Sequence, residues 1–233
     1  MNKTEFIEEL KKINIIITEK QLTMLDTYYQ LLVQENKKYN LTAVTEESQV
    51  YLKHFYDSLT ITKGIELNNQ YLLDIGTGAG FPGIVLKIFF PNLKVDLLDA
   101  TEKKCHFLKL VINSLKLENI HVINTRAEEY AILNRNKYDI VTSRAVAPIK
   151  HLLEYSIPVL KVNGIFIALK ANIQEELKKI NNYHQKLFLS KEEIIEFNLP
   201  KENSIRTIYK IVKMKDTPNI YPRKYSQIIK KDI

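Results

Sequence analysis

The sequence predicts an α/β fold: a parallel sheet covered by helices on both faces, closed by an antiparallel hairpin and preceded by a helical lobe. Three observations carry that expectation. Apolar residues repeat at helical spacing up to about residue 65, and from Tyr71 onward short apolar runs alternate with helical stretches, the rhythm of a parallel sheet with crossover helices. Four of the six glycines fall between Gly76 and Gly83, directly behind the first apolar run. The last two runs, 194–199 and 207–214, are separated by a segment too short for a helical crossover, so they are expected to pair antiparallel.

In the N-terminal lobe, Phe6, Ile7, Leu10 and Ile13 mark a first helix beginning near Thr4. Thr18 and Gln21 have the spacing of a capping box, in which each side chain satisfies a free backbone N–H of the other, and Leu22, Leu25, Tyr28, Tyr29, Leu32 and Val33 form the apolar face behind them. A third helix is expected over 47–61 with Val50, Tyr51, Phe55 and Leu59 turned inward. Parallel strands are expected at 71–75, 94–98, 120–124, 138–142 and 164–169, and the clearest helices between them at 102–116 and 149–160. A further helix, 84–88, opens at Pro82, whose fixed φ suits a first turn. This divides the chain into a helical lobe over 1–65, a sheet domain over 66–216 and a basic tail over 217–233.

Composition narrows the function classes. With 45% apolar and 26% charged residues the chain reads as a soluble globular protein large enough to bury a three-layer core. No apolar run approaches the roughly 20 residues that cross a bilayer, and no apolar signal segment follows Met1, so neither membrane nor export is expected. Cys105 stands alone, which excludes an internal disulfide and a cysteine-based zinc site, and the five His residues show no metal-ligand spacing. No metal is expected, and the compartment expected is the reducing cytoplasm. The net charge of +7 is concentrated late: from Lys170 onward the excess is +6, and from Lys210 onward there are 7 basic and 2 acidic residues. Such a distribution suits a polyanionic partner or a solubilising tail.

The glycine turn is the chemical centre of the sequence. A strand, a glycine-rich turn and a helix start form a cradle for a nucleotide-like ligand, because glycine adopts positive φ and lets backbone approach the ligand closely. Two fingerprints overlap here. Gly76-Thr77-Gly78-Ala79-Gly80, preceded by Asp74, fits an S-adenosylmethionine site, whereas Gly78 to Gly83 also satisfies the dinucleotide pattern. Asp99, at the end of the next strand, fits the ribose-binding acid of either. Asp74 ahead of the glycines, a helix start delayed to Pro82 and the closing hairpin favour S-adenosylmethionine; five parallel strands followed by an antiparallel hairpin is the order of a class I methyltransferase sheet. Arg126-Ala127-Glu128 after the third strand, where enzymes of that class touch adenine, and Ser143-Arg144-Ala145 after the fourth, where the acceptor approaches, extend the same rim.

Several motifs in order now make the chain resemble the bacterial ribosomal small-subunit methyltransferase G family, also called glucose-inhibited division protein B. They are Tyr39 to Ala43, Lys53 to Leu59, the Gly80-Phe81-Pro82-Gly83 ending, Leu97-Leu98-Asp99, Arg126-Ala127-Glu128, Ser143-Arg144-Ala145 and Ala168-Leu169-Lys170. The resemblance implies methyl transfer from S-adenosylmethionine to N7 of one guanine in 16S ribosomal RNA; whether the acceptor is naked RNA, an assembly intermediate or the assembled subunit stays open in the sequence, and a monomer is expected. It implies cofactor contacts at Gly76, Phe81, Asp99, Ala100, Thr101, Ala127, Glu128 and Arg144, to which the glycine fingerprint adds Asp74, Gly78 and Gly80. Two departures stand out: Ala100 replaces a frequent Ser, and Pro222-Arg223-Lys224-Tyr225-Ser226 replaces a Pro-Arg-Lys-Pro-Gly-like ending.

Guanine N7 carries a lone pair and no proton, so its attack on a methyl sulfonium needs positioning rather than a base. In agreement, no His is spaced to activate a nucleophile, and no residue is assigned a catalytic acid–base role. Arg144 is the candidate for positioning the acceptor, through a phosphate or a carbonyl oxygen. His54 and Asp57 are expected either at the mouth of the site or as a buried pair between helix and sheet. Lys170 and the basic tail are expected on the RNA backbone, with Tyr209, Tyr221 and Tyr225 as stacking candidates or core residues. A nicotinamide-dependent oxidoreductase and a non-catalytic RNA-binding assembly protein are the alternatives.

Overall fold

A computed structural model of the chain describes residues 1–144, 146–202 and 204–233, with the side chain of Asn181 left aside. The lobe contains α1 (Lys3–Lys12), α2 (Glu19–Tyr39), α3 (Glu47–Val50), a π-helical stretch Tyr51–Tyr56 and α4 (Asp57–Leu59), ending in a 3₁₀ turn Thr60–Lys63. Helix α2 opens on the capping box expected at Thr18 and Gln21 and stops at Asn40, which takes the left-handed conformation that an Asn tolerates.

The sheet follows as β1 (Tyr71–Ile75), α5 (Gly83–Phe89), β2 (Lys94–Asp99), α6 (Glu102–Ser114), β3 (Ile120–Asn124), α7 (Ala127–Leu133), β4 (Tyr138–Arg144), α8 (Ile149–Val159) and β5 (Leu160–Lys170). The chain closes with α9 (Gln174–Leu177), α10 (Asn181–Lys186), the hairpin β6 (Glu193–Asn198) and β7 (Ile205–Val212), and α11 (Tyr225–Ile228). Seven strands lie in the order β3-β2-β1-β4-β5-β7-β6, the first five parallel and β7 antiparallel to both neighbours. Two strands run longer than the sequence suggested. β4 reaches Arg144 because Arg144 pairs with Leu169, and β5 begins at Leu160, its polar Lys161–Asn163 start hidden from a hydrophobicity reading by an irregular register opposite Tyr138.

Alternating residues of β1 send Leu72 to one face of the sheet and Leu73 to the other, so one strand anchors two cores. The first core joins the lobe to α5 and α6 through Phe6, Tyr28, Phe55, Ile84 and Leu108. The second joins α7 and α8 to the end of the chain through Tyr138, Leu152, Tyr183, Tyr221, Ile228 and Ile233. Residues 217–233 are therefore docked against the sheet domain, not trailing from it. The connection between β1 and β4 marks where strand order reverses, the place where open α/β sheets bind ligands. Among the described residues, no helix is long and apolar enough to cross a membrane.

Candidate active site

The turn after β1 is held by the acid before it. Asp74 is fully buried; its Oδ2 accepts from the Thr77 hydroxyl at 2.6 Å and from the Gly83 backbone N–H at 2.8 Å, tying the turn to the start of α5. Its Oδ1 is buried with no hydrogen-bond partner. Burial pushes the Asp74 carboxyl up to about 6, against the opposing pull of those two donors. Gly76 and Gly78 have φ of +66° and +61°, and a Cβ on Gly78 would meet nothing nearer than 4.0 Å, so its backbone faces open space. The Gly78 N–H donates to Asp99 Oδ2 at 3.0 Å, and Asp99 Oδ1 accepts from the Thr101 N–H at 2.9 Å, which fixes the second carboxylate at the rim.

Two cavities meet at this turn. The larger, about 680 Å³, runs over the ends of β1, β2 and β3 and is lined by Gly76, Asp99, Ala100, Ala127, Glu128 and Arg144, joined by Lys104, Thr125, Arg126, His151, Tyr155 and Tyr225. The smaller, about 420 Å³, lies between the lobe and the ends of β4 and β5. Its walls include Thr42, His54, Asp57, Gly78, Phe81, Lys170 and Arg206. Gly76 and Arg144 line both.

At the boundary stands a polar network built from three distant parts of the chain. Arg144 donates to the Lys53 carbonyl at 2.7 Å and to Asp57 Oδ2 at 3.2 Å, and its other nitrogen lies 3.1 Å from His54 Nδ1. Arg206, from the closing hairpin, donates to Asp57 Oδ1 at 3.1 Å. Two guanidiniums thus share one carboxylate, leaving one uncompensated positive charge beside the smaller cavity. His54 is kept neutral: burial, helped by the Arg144 charge, lowers it to about 3. A guanidinium can only donate, so Nδ1 accepts from Arg144, the Lys53 carbonyl 3.2 Å from Nδ1 taking its hydrogen bond from Arg144, and Nε2 carries the proton and donates to Thr42 Oγ1 at 2.9 Å. The imidazole stacks on Phe81 with ring centroids 4.4 Å apart, and the Arg144 guanidinium lies 5.3 Å from the same ring. His54 and Asp57 are therefore both things the sequence allowed: a buried helix-to-sheet contact and part of the cavity wall.

The structure distributes the expected site residues unevenly. Asp74, Gly80 and Thr101, expected on the cofactor, line neither cavity. Asp74 braces the turn; Gly80 is packed so that a Cβ would lie 2.5 Å from the Tyr28 hydroxyl and 2.6 Å from Ile84; Thr101 stands at the N-cap position of α6 without a side-chain capping bond. Phe81 and Gly78 line the smaller cavity, away from Ala127 and Glu128. Lys170, expected on RNA, donates to the Ala147 carbonyl at 2.7 Å and to Glu176 at 2.9 Å. Tyr209 and Tyr221 are core residues, leaving only Tyr225 exposed of the three stacking candidates. Ala145 of the expected rim lies outside the described residues. Arg206, His151 and Tyr155 had no sequence signal, since an alternating strand or an amphipathic helix marks none of its polar members. Among the described residues, no cluster of three or more His, Cys, Asp or Glu could hold a metal ion.

The strand order, the glycine cradle at its switch point and the carboxylate at the end of β2 define a class I S-adenosylmethionine-dependent methyltransferase. The fold is shared with a SAM-dependent methyltransferase from Aquifex aeolicus at a TM-score of 0.55 and 17% identity, over 77% of this chain and 98% of that one. Residues 21–208 match the family model for rRNA small subunit methyltransferase G. Curated relatives of that name include one from Mycoplasma capricolum, 45% identical over 93% of this chain and 94% of its own length, and one from Lysinibacillus sphaericus, 43% identical over 96% of both. The chain belongs to the rRNA small subunit methyltransferase G family.

Proposed function

We propose that this protein methylates N7 of a guanine in 16S ribosomal RNA, acting in the cytoplasm as a monomer, with the larger cavity holding S-adenosylmethionine and the smaller one the acceptor base. The observation that carries the reading is the junction: two cavities, one over the ends of β1 to β3 and one between the glycine turn and the lobe, share Gly76 and Arg144 as their common wall. A methyl donor and its acceptor need adjacent chambers that meet at one point.

The residues present suit the cofactor. Gly76 brings the positive-φ turn to the wall of the larger cavity, Asp99 offers carboxylate oxygens at its rim for ribose hydroxyls, and Glu128 stands on the same wall. When bound, the cofactor supplies a sulfonium-activated methyl group. The protein's own work is orientation. The neutral His54, stacked on Phe81 by one face and lining the smaller cavity, offers a flat surface against which a base can lie, while Arg144, fixed by Lys53, His54 and Asp57, presents its remaining donors to the acceptor's O6 or phosphate. No group is required to remove a proton, because N7 has none. The lobe over 1–65 thereby serves as the acceptor-side wall of the domain over 66–216.

The test supplies labelled S-adenosylmethionine with naked 16S RNA, small subunits and small molecules in parallel, and maps the product by strand cleavage at N7-methylguanine. Label at one guanine of the RNA is the expected result. Transfer only to small molecules, or to another base position, would remove the proposal.

A further inference from the structure

The C-terminal segment supplies a wall of the larger cavity. Tyr225 begins α11 and lines that cavity together with Arg126, Ala127 and Glu128, although it lies some hundred residues beyond them in sequence. The Arg126 guanidinium sits 4.6 Å from the centre of the Tyr225 ring. That guanidinium is also steered by Glu128, 2.6 Å from its Nε. A planar cation layered on an aromatic ring makes a flat, polarisable face of the kind that accepts a nucleobase.

Two more observations point the same way. His151, on the α8 wall of this cavity, has a buried Nε2 with no hydrogen-bond partner, a polar atom available to a ligand beside the aromatic face. The segment is also held in register independently of Tyr225. Arg223 pairs with Glu154, whose side chain is completely buried, and Arg135 donates to the carbonyls of Thr217 and Tyr221. Pro222 and Ile228 are buried on either side of the exposed Tyr225. Tyr225 is 43% exposed while its flanks are anchored, so it is presented rather than left over from packing.

We infer that Tyr225, backed by Arg126, holds the purine end of the cofactor, which makes the end of the chain part of the nucleotide site. The inference rests on the cofactor reading above and adds to it a residue from outside the sheet's carboxyl edge.

Isothermal titration of the full chain with S-adenosylhomocysteine and with 5′-methylthioadenosine tests it without turnover, since both ligands carry the adenosine part and only one carries the amino acid. Tyr225→Ala should weaken both by a similar factor, about tenfold, and Tyr225→Phe should bind both as the parent does. The melting temperature of Tyr225→Ala should stay near the parent's, because the Arg223–Glu154 anchor is untouched. Unchanged affinity for both ligands in Tyr225→Ala would overturn the inference while leaving the cofactor reading in place. So would a variant that loses RNA affinity alone, which would make Tyr225 an RNA-stacking residue. Failure of the parent chain to bind either ligand would overturn the cofactor reading and this inference with it.

Discussion

Arg144 gathers the structure's most specific chemistry, and its surroundings decide what its removal does. Deleting the side chain leaves Asp57 still paired with Arg206 at 3.1 Å, so no buried carboxylate is stranded. Arg144→Ala should therefore fold, with a circular dichroism spectrum like the parent's, yet lose methylation by roughly a hundredfold or more, the cost expected of a misplaced acceptor. A variant with full turnover would deny Arg144 its positioning role. Two other residues of the site bear on pH dependence with opposite signs. His54 titrates near 6.5 when unfolded but near 3 in the fold, so its contribution to stability is present above 6.5 and is lost as pH falls. Asp74 releases its proton near 3.8 when unfolded but near 6 in the fold, so its contribution is present at low pH and is lost as pH rises. Between pH 4 and 6 each changes the slope of stability by about 1.4 kcal/mol per pH unit, and the two nearly cancel. Denaturant unfolding across that window should show His54→Gln losing stability with rising pH relative to the parent, and Asp74→Asn gaining it. Parallel curves for all three proteins would mean that neither group is perturbed.

At the scale of elements, the glycine turn separates structural from ligand-facing positions. A Cβ on Gly83 would sit 2.3 Å from Leu97 and 2.9 Å from Asp74 Oδ2, inside a packed core. Gly83→Ala should lower the melting temperature through overpacking of about 1–3 kcal/mol. A Cβ on Gly78 meets open space and costs only the strain of its positive φ, about 1–2 kcal/mol, while intruding where a ligand approaches. Thermal melting and RNA titration of the two variants should diverge: Gly83→Ala hurts folding more than binding, Gly78→Ala, on the wall of the smaller cavity, the reverse. This division was not legible in the sequence, where both glycines belong to the same motif. The strands were legible because the centres of β1, β2, β4 and β5 are buried and carry short apolar runs, whereas the edge strand β3 is half-exposed. The π-helical turn Tyr51–Tyr56 was not, since its sequence has an ordinary helical spacing. Yet that turn brings the Lys53 carbonyl and His54 to Arg144, about ninety residues away.

For the whole molecule, the sequence located the positive charge but not its availability. Much of the basic excess after Lys170 is engaged internally. Lys170 is held by Glu176, Lys210 by Glu193, Arg206 by Asp57 and Arg223 by Glu154, while Lys213 is fully buried, donating to Asn136 and the Leu160 carbonyl. Burial lowers the Lys213 ammonium to about 8, further removing it as an RNA contact. Ion pairing of this kind depends on which strands become neighbours, which a charge count along the chain cannot register. Lys224, Lys230 and Lys231 are different: all three are exposed and, among the described residues, no carboxylate lies within salt-bridge distance. They project from the segment that also places Tyr225 at the cavity, so RNA held there would lie beside the site rather than at a remote patch. Replacing all three by Ala should weaken RNA binding and lower the slope of log affinity against log salt by up to about 2, as expected for the loss of three phosphate contacts. Cofactor affinity should be unchanged, because none of the three lines the larger cavity. The corresponding Lys170→Ala variant should leave the salt slope as it was, since its charge is already spent on Glu176. An unaltered slope in the triple variant would place the RNA on another face of the molecule, whereas a flattened slope on losing Lys170 would mean that its pairing with Glu176 opens when RNA binds.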